Sequence, residues 1–175
     1  MRLMSRAALV LAATLFAASA LEAQAKFAIS AGAAVPIGST ADDLNVGYNV
    51  TASLGFEPPL APLGLRIDGM FNSMEFKSTL LKGESNRTLA GTANLVLGGP
   101  AMPIPMGYLI GGVGMYNNKA SIAGSSSNTD FGFNIGAGLK FPLTGFSTFL
   151  EARLHIVNTE GSSMKFIPVT FGIKF

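Results

Sequence analysis

Apolar and polar residues alternate along most of this chain with a period of two, the spacing of a β-strand that shows one face to an oily medium and the other to a polar one. Residues 166–175 (FIPVTFGIKF) show the pattern most fully: Ile167, Val169, Phe171, Ile173 and Phe175 stand on one face, and Pro168, Thr170, Gly172 and Lys174 on the other. Seven further segments behave the same way, at about 26–35, 47–56, 63–76, 87–97, 106–117, 130–141 and 146–158. The sixth sets Phe131, Phe133, Ile135, Ala137, Leu139 and Phe141 against Gly132, Asn134, Gly136, Gly138 and Lys140. The third and seventh oppose Leu65, Ile67 and Phe71 to Arg66 and Asp68, and Leu150, Ala152 and Leu154 to Glu151, Arg153 and His155. In the fifth segment both faces hold apolar residues and glycines. There Tyr108, Ile110 and Tyr116 are expected outward, because two tyrosines eight residues apart span about 26 Å of strand, which a tilt near 40° projects to roughly 20 Å against an apolar band of about 25 Å.

The breaks between segments come in two kinds. Residues 57–64, 98–105 and 142–145 hold seven of the nine prolines, which lack the N–H that a ladder needs. Residues 38–46, 77–86, 118–129 and 159–165 are polar. With both termini on the periplasmic side, the first set are periplasmic turns and the second are external loops. Phe27, Phe56, Tyr108, Phe141, Phe146 and Phe175 then fall at periplasmic strand ends on the outward parity, as an aromatic girdle.

Eight such strands cannot stay an open sheet in lipid, where unpaired edge groups cost several kcal/mol each. The expected fold is therefore an all-β, eight-stranded, antiparallel up-and-down transmembrane barrel, closed between its first and last strands. An eight-stranded barrel has an interior only wide enough for side chains to fill it. The inward charges Arg66, Asp68, Lys140, Glu151, Arg153 and His155 are expected to form a lumenal ion network, since an isolated buried charge is far more costly than a paired one. Inward glycines on the sixth strand leave room for these long side chains. Pro168, facing inward without a donor, is expected at a strand end or a local irregularity.

Composition agrees with this picture. Mean hydropathy is +0.43 and only 13% of the residues are charged, about half the usual share. Yet past residue 25 no apolar run is long enough for a spanning helix. Arg2 and Arg6, the apolar run 7–18 and Ala23-Gln24-Ala25 form the three parts of an export signal. Residues 1–25 are read as a cleavable helical signal peptide and 26–175 as the barrel domain. Without Arg2, Arg6 and Glu22, the 12 basic and 10 acidic residues fall to 10 and 9, which gives no reason to propose a nucleic-acid partner. There is no Cys, so thiolate and disulfide chemistry are excluded.

No catalytic constellation emerges. His155, the one histidine, is followed on its own face by Val157 rather than by a serine and is read as a structural lumenal residue. Gly112-Val113-Gly114 and Gly136-Ala137-Gly138 lie inside strands with no helix after them, so they are not phosphate cradles. One His and scattered carboxylates do not make a metal site, and no cofactor is expected. Asp42, Asp43, Glu84 and Asp130 near the outer rim are weak candidates for divalent cations.

The segments AGAAVPIG (31–38), YLIGGVGMYN (108–117), FGFNIGAGLKF (131–141) and FIPVTFGIKF (166–175) together resemble small outer-membrane barrels of the OmpA/OmpX and opacity-protein type, the outer-membrane protein β-barrel domain family. The resemblance covers the chain after the leader and implies the outer membrane of a Gram-negative bacterium. It implies insertion by the outer-membrane assembly machinery, which would read Phe171, Gly172, Ile173 and Phe175, and contact with outer-membrane lipid and lipopolysaccharide. It names no substrate. The expected role is a monomeric, non-enzymatic envelope or adhesin-like barrel that meets any ligand through loops 77–86 and 118–129. The alternatives are a lipid-modifying enzyme of the outer membrane and a lipocalin-like carrier. The carrier requires the opposite sidedness, with Glu151 and Arg153 outside.

Overall fold

The computed structural model describes residues 25–56, 62–81, 83–98, 106–122, 124–159 and 161–175. The leader assigned to 1–25 lies outside these residues except for Ala25, which opens the first strand. Most of the connections 57–64 and 98–105 lie outside them as well.

Eight antiparallel strands follow one another around a closed barrel: β1 (Ala25–Pro36), β2 (Gly47–Phe56), β3 (Leu63–Glu75), β4 (Ser85–Gly98), β5 (Gly107–Ala120), β6 (Asn128–Pro142), β7 (Ser147–Thr159) and β8 (Ser162–Lys174). Each pairs with its sequence neighbour, and β1 closes on β8 in a register that sets Ile29 opposite Ile173 and Ala33 opposite Val169. No free strand edge remains. At one end of the barrel β1 begins, β2 and β4 end, β3 and β5 begin, β6 turns into β7 and β8 ends. The other carries the four polar connections, including a single helical turn, α1 (Thr40–Asp43).

Sidedness follows the alternation. Ile67 and Ile135 are each 64% exposed on the outer wall, with Leu54, Leu65, Leu89 and Phe171 also exposed there. Asp68, Glu151, Arg153 and His155 are buried inside. This is the reverse of a soluble carrier.

The structure corrects two expectations. On β5, Tyr108, Ile110 and Tyr116 are buried in the lumen, while Leu109, Val113 and Met115 face out. The register fixes this, because Tyr108 lies beside Gly138 of β6 and Tyr116 beside Asp130, both on inward parity. The apolar count on β5 did not distinguish its faces, but inward-facing partners allow only one of them. Second, three of the four polar loops are shorter than the hydropathy pattern indicates. β4 starts at Ser85, β5 runs to Ala120, β7 runs to Thr159 and β8 starts at Ser162. Ladder hydrogen bonds do not require apolar side chains, so pairing continues past the oily band. Pro168, expected at a strand end or a local irregularity, lies in the middle of β8 at such an irregularity. There the β7–β8 ladder skips two positions, from Ala152↔Val169 to His155↔Phe166, as a missing donor requires.

Candidate functional site

The interior is the part of the molecule with concentrated chemistry, and it is stacked in layers. At the end where β1 begins and β8 ends, Lys26, Lys140 and Lys174 line a recess with Phe149 and Tyr108. Lys140 places its ammonium 5.9 Å from the centre of the Tyr108 ring.

Above this recess lies a four-residue ion cluster. Arg66 Nη2 donates to Glu151 Oε1 at 2.8 Å, and Arg66 Nε lies 3.0 Å from Asp68 Oδ1. Arg153 Nη1 reaches Asp68 Oδ2 at 2.7 Å, and its Nε reaches Glu151 Oε1 at 2.8 Å. The two acid–base pairs come from β3 and β7, strands opposite each other in the ring, so the cluster crosses the full width of the lumen. Neutral groups complete it. Tyr108 donates to Glu151 Oε2 at 2.7 Å, and Asn94 donates to Asp68 Oδ2 at 3.0 Å. Asn134 then donates to Asn94 Oδ1 at 2.8 Å. Each carboxylate thus meets two guanidinium groups and one neutral donor. That arrangement offsets much of the cost of removing the charges from water.

The glycines of β6 make the crossing possible. A Cβ on Gly138 would fall 2.3 Å from the Tyr108 ring, and one on Gly136 would fall 2.5 Å from Cγ of Arg153. Both distances are shorter than atoms tolerate, so the narrow lumen admits these side chains only where β6 has none.

His155 lies outside the ion cluster. Its Nδ1 is 2.8 Å from the Tyr116 hydroxyl, and its ring stacks on Phe166 with centroids 5.0 Å apart and planes 6° apart. Around this trio Ala34, Met70, Met74, Ala90 and Val157 form an apolar plug at the loop end. Leu44, just past α1, closes the plug from above. Its segment is held by Asn45 N–H donating to Glu75 O and Lys77 N–H to Asp43 O, each at 2.8 Å. Loop 37–46 therefore belongs to the seal.

Among the remaining candidates, Phe27, Phe56, Phe141, Phe146 and Phe175 have outward parity at the terminal end, and Tyr108 does not. Phe171, Ile173 and Phe175 face out on β8, and Gly172 faces in against the Phe149 ring. Sequence reading missed Asn94 and Tyr108 as partners of the charges. The three small inward residues of β6 opposite β5 were a usable signal for Tyr108, since they leave space that only a neighbouring ring fills. Among the described residues no three His, Cys, Asp or Glu side chains converge on a metal-sized site.

The model of the outer membrane protein beta-barrel domain family matches residues 8–175. The chain belongs to that family. It is thus an outer-membrane barrel of a Gram-negative envelope, and solved structures repeat its fold. The Neisserial surface protein A structure superposes with a TM-score of 0.66 at 13% identity, covering 86% of this chain and 96% of that one. The Yersinia pestis attachment invasion locus protein gives 0.54 at 18% identity over 87% and 99%. A major outer membrane protein of Thermus thermophilus gives 0.55 at 13% identity over 86% and 98%. At these identities the likeness is one of fold. No curated protein matches the sequence.

Proposed function

We propose that this family member is a closed, non-enzymatic barrel of the cell surface that meets other molecules through its loops and wall and carries nothing through its lumen. The supporting observation is the double obstruction of the interior: an ion cluster spanning the lumen, and above it a plug in which Tyr116, Phe166, Met74 and Val157 have essentially no solvent exposure. Every charged group of the cluster is engaged with another, so none is positioned to bind a passing solute.

The lipid-enzyme alternative is weaker. His155 is fully buried between Tyr116 and Phe166, and it has neither a serine beside it nor a path to lipid. The adhesin-like reading gains support from the ordered ladder that lifts loops 76–84 and 121–127 beyond the apolar band. In the same reading the barrel is a monomer with lipid on every side, and the assembly machinery engages β8 through Phe171, Ile173 and Phe175.

The test is to express the barrel in an outer-membrane host stripped of its own adhesins, beside a variant whose loops 77–81 and 121–127 are replaced by Gly-Ser of equal length. Adherence and cell aggregation should rise with the wild type and fall with the variant, while planar bilayers containing the purified protein show no unitary conductance. Regular current steps, or cleavage of lipid A acyl chains that depends on His155, would overturn the proposal.

A further inference from the structure

The outer wall carries a charge pattern that the surface reading does not use. Among the described strand residues, four charged side chains have outward parity: Glu75, Arg87, Lys119 and Lys165. All four lie at the loop end, and three are basic. The charges near the other end, Lys26, Lys140 and Lys174, have inward parity. Arg87 and Lys119 are directly opposite in the β4–β5 register. Both are exposed, and neither has an ion pair or side-chain hydrogen bond among the described residues. Like charges facing each other across a ladder are destabilising, with Cβ atoms about 5 Å apart. Glu75 stands diagonally from Arg87, through Ser73↔Arg87, but makes no ion pair with it.

Beneath this pair one polar side chain, Asn117, stands opposite Leu89 and donates to Thr129 at 2.8 Å, and past it the wall is apolar. Leu89, two residues below Arg87, is exposed, as are Met115 and Val113 below Lys119. Next to them Ala52, Gly69, Gly91 and Met115 form a continuous row across β2 to β5, because each is the register partner of the next. A Cβ added at Gly69 or Gly91 would meet nothing within 4 Å, so the row is a furrow open to lipid. A doubly basic step thus stands above an oily groove, at the height where headgroups begin.

We infer that Arg87 and Lys119 bind the phosphomonoester of an outer-leaflet glycolipid, whose acyl chain lies along Leu89, Gly91 and Gly69. A dianionic phosphate accepts from a guanidinium and an ammonium together and removes the repulsion between them. The inference rests on the membrane placement in which the polar loops face outward. That placement is checked separately. The chain has no cysteine, so Ser125→Cys supplies a single thiol that an impermeant maleimide labels on intact cells if the loop end faces out.

For the site itself, wild type and R87Q/K119Q are reconstituted in phosphatidylcholine nanodiscs doped with bisphosphorylated lipid A, dephosphorylated lipid A or phosphatidylglycerol. Lipid retained through detergent exchange is counted by native mass spectrometry. The wild type should keep bisphosphorylated lipid A in preference to the other two, and retention should fall about fivefold for each cation removed. Equal thermal unfolding of the two proteins in undoped discs shows that the variant is folded. Equal retention by wild type and variant overturns the site. Retention of dephosphorylated lipid A or phosphatidylglycerol as strong as that of the bisphosphorylated form overturns the phosphomonoester. Displacement of the lipid by excess inorganic phosphate overturns the lipid as its source.

Discussion

Tyr108 donates to Glu151 across the barrel interior at 2.7 Å, joining β5 to β7 over the glycine at position 138. The bond places the phenol at the edge of the ion cluster, where it satisfies the carboxylate oxygen that the arginines leave open. Tyr108→Phe keeps the ring in its slot and deletes only the donor. Glu151 Oε2 is then buried without its partner, at a cost of about 1–3 kcal/mol. Urea unfolding in phosphatidylcholine vesicles measures the loss. No change would show that water or another group replaces the phenol.

The four charges of the cluster should behave as one unit. Arg153 contacts both Asp68 and Glu151, so Arg153→Met strands two carboxylates that retain only Arg66 among the cationic groups of the cluster. The expected cost is about 3–5 kcal/mol. Adding Glu151→Gln removes one stranded charge, so the double variant should lose less than the sum of the two singles, with a coupling of about 0.5–3 kcal/mol. Simple additivity in the same unfolding assay would mean that the contacts contribute as independent pairs.

How much of this was legible beforehand depended on how polar each strand was. On β3 and β7 every second residue is charged or strongly polar near the middle, so parity alone placed Arg66, Asp68, Glu151 and Arg153 in one lumen. On β5 the residues 108–116 are tyrosines, aliphatics and glycines on both faces, and hydropathy has no preferred side. There the ladder decides: once β4 and β6 are fixed by their own alternation, Tyr108 and Tyr116 must point in with Asn94 and Asn134. Tyrosine misleads for a physical reason, because its apolar ring suits a membrane girdle and its hydroxyl suits a buried carboxylate equally well. Strand ends were misread because the hydropathy pattern stops at the edge of the oily band and hydrogen bonding does not. Arg66 needing Glu151 was a matter of charge; Asp68 needing Asn94 was a matter of register, which single-strand patterns do not contain.

The pair Tyr116 and His155 tests whether the plug is held by its hydrogen bond or by packing. The bond is 2.8 Å long and fully buried, and His155 Nε2 has no hydrogen-bond partner among the described residues. Removing one member, by Tyr116→Phe or His155→Leu, should cost about 1–3 kcal/mol, because its partner is left buried and unpaired. Removing both should be close to neutral, since two apolar groups of similar shape refill the space. A double variant as damaged as the sum of the singles would place the energy in the stacking of His155 on Phe166.

The lipid-facing wall makes the sharpest prediction, because a soluble barrel and a membrane barrel respond oppositely there. Ile67 is 64% exposed and lies midway along the outward row Leu63, Leu65, Ile67, Gly69 and Phe71 of β3. On a surface facing water, Ile67→Arg would change stability by no more than about 0.5 kcal/mol. At the midplane of a bilayer the same arginine costs about 2–4 kcal/mol, and near the interface about 0–1 kcal/mol. Ile67→Arg should therefore destabilise the vesicle-embedded protein strongly, while Ser73→Arg on the same face, directly opposite Arg87 in the register, should cost no more than about 1 kcal/mol, the repulsion from Arg87 included. Equal, small effects at the two positions would mean that water, not lipid, covers this wall. Equal, large effects would place the apolar band higher than the row of outward charges allows.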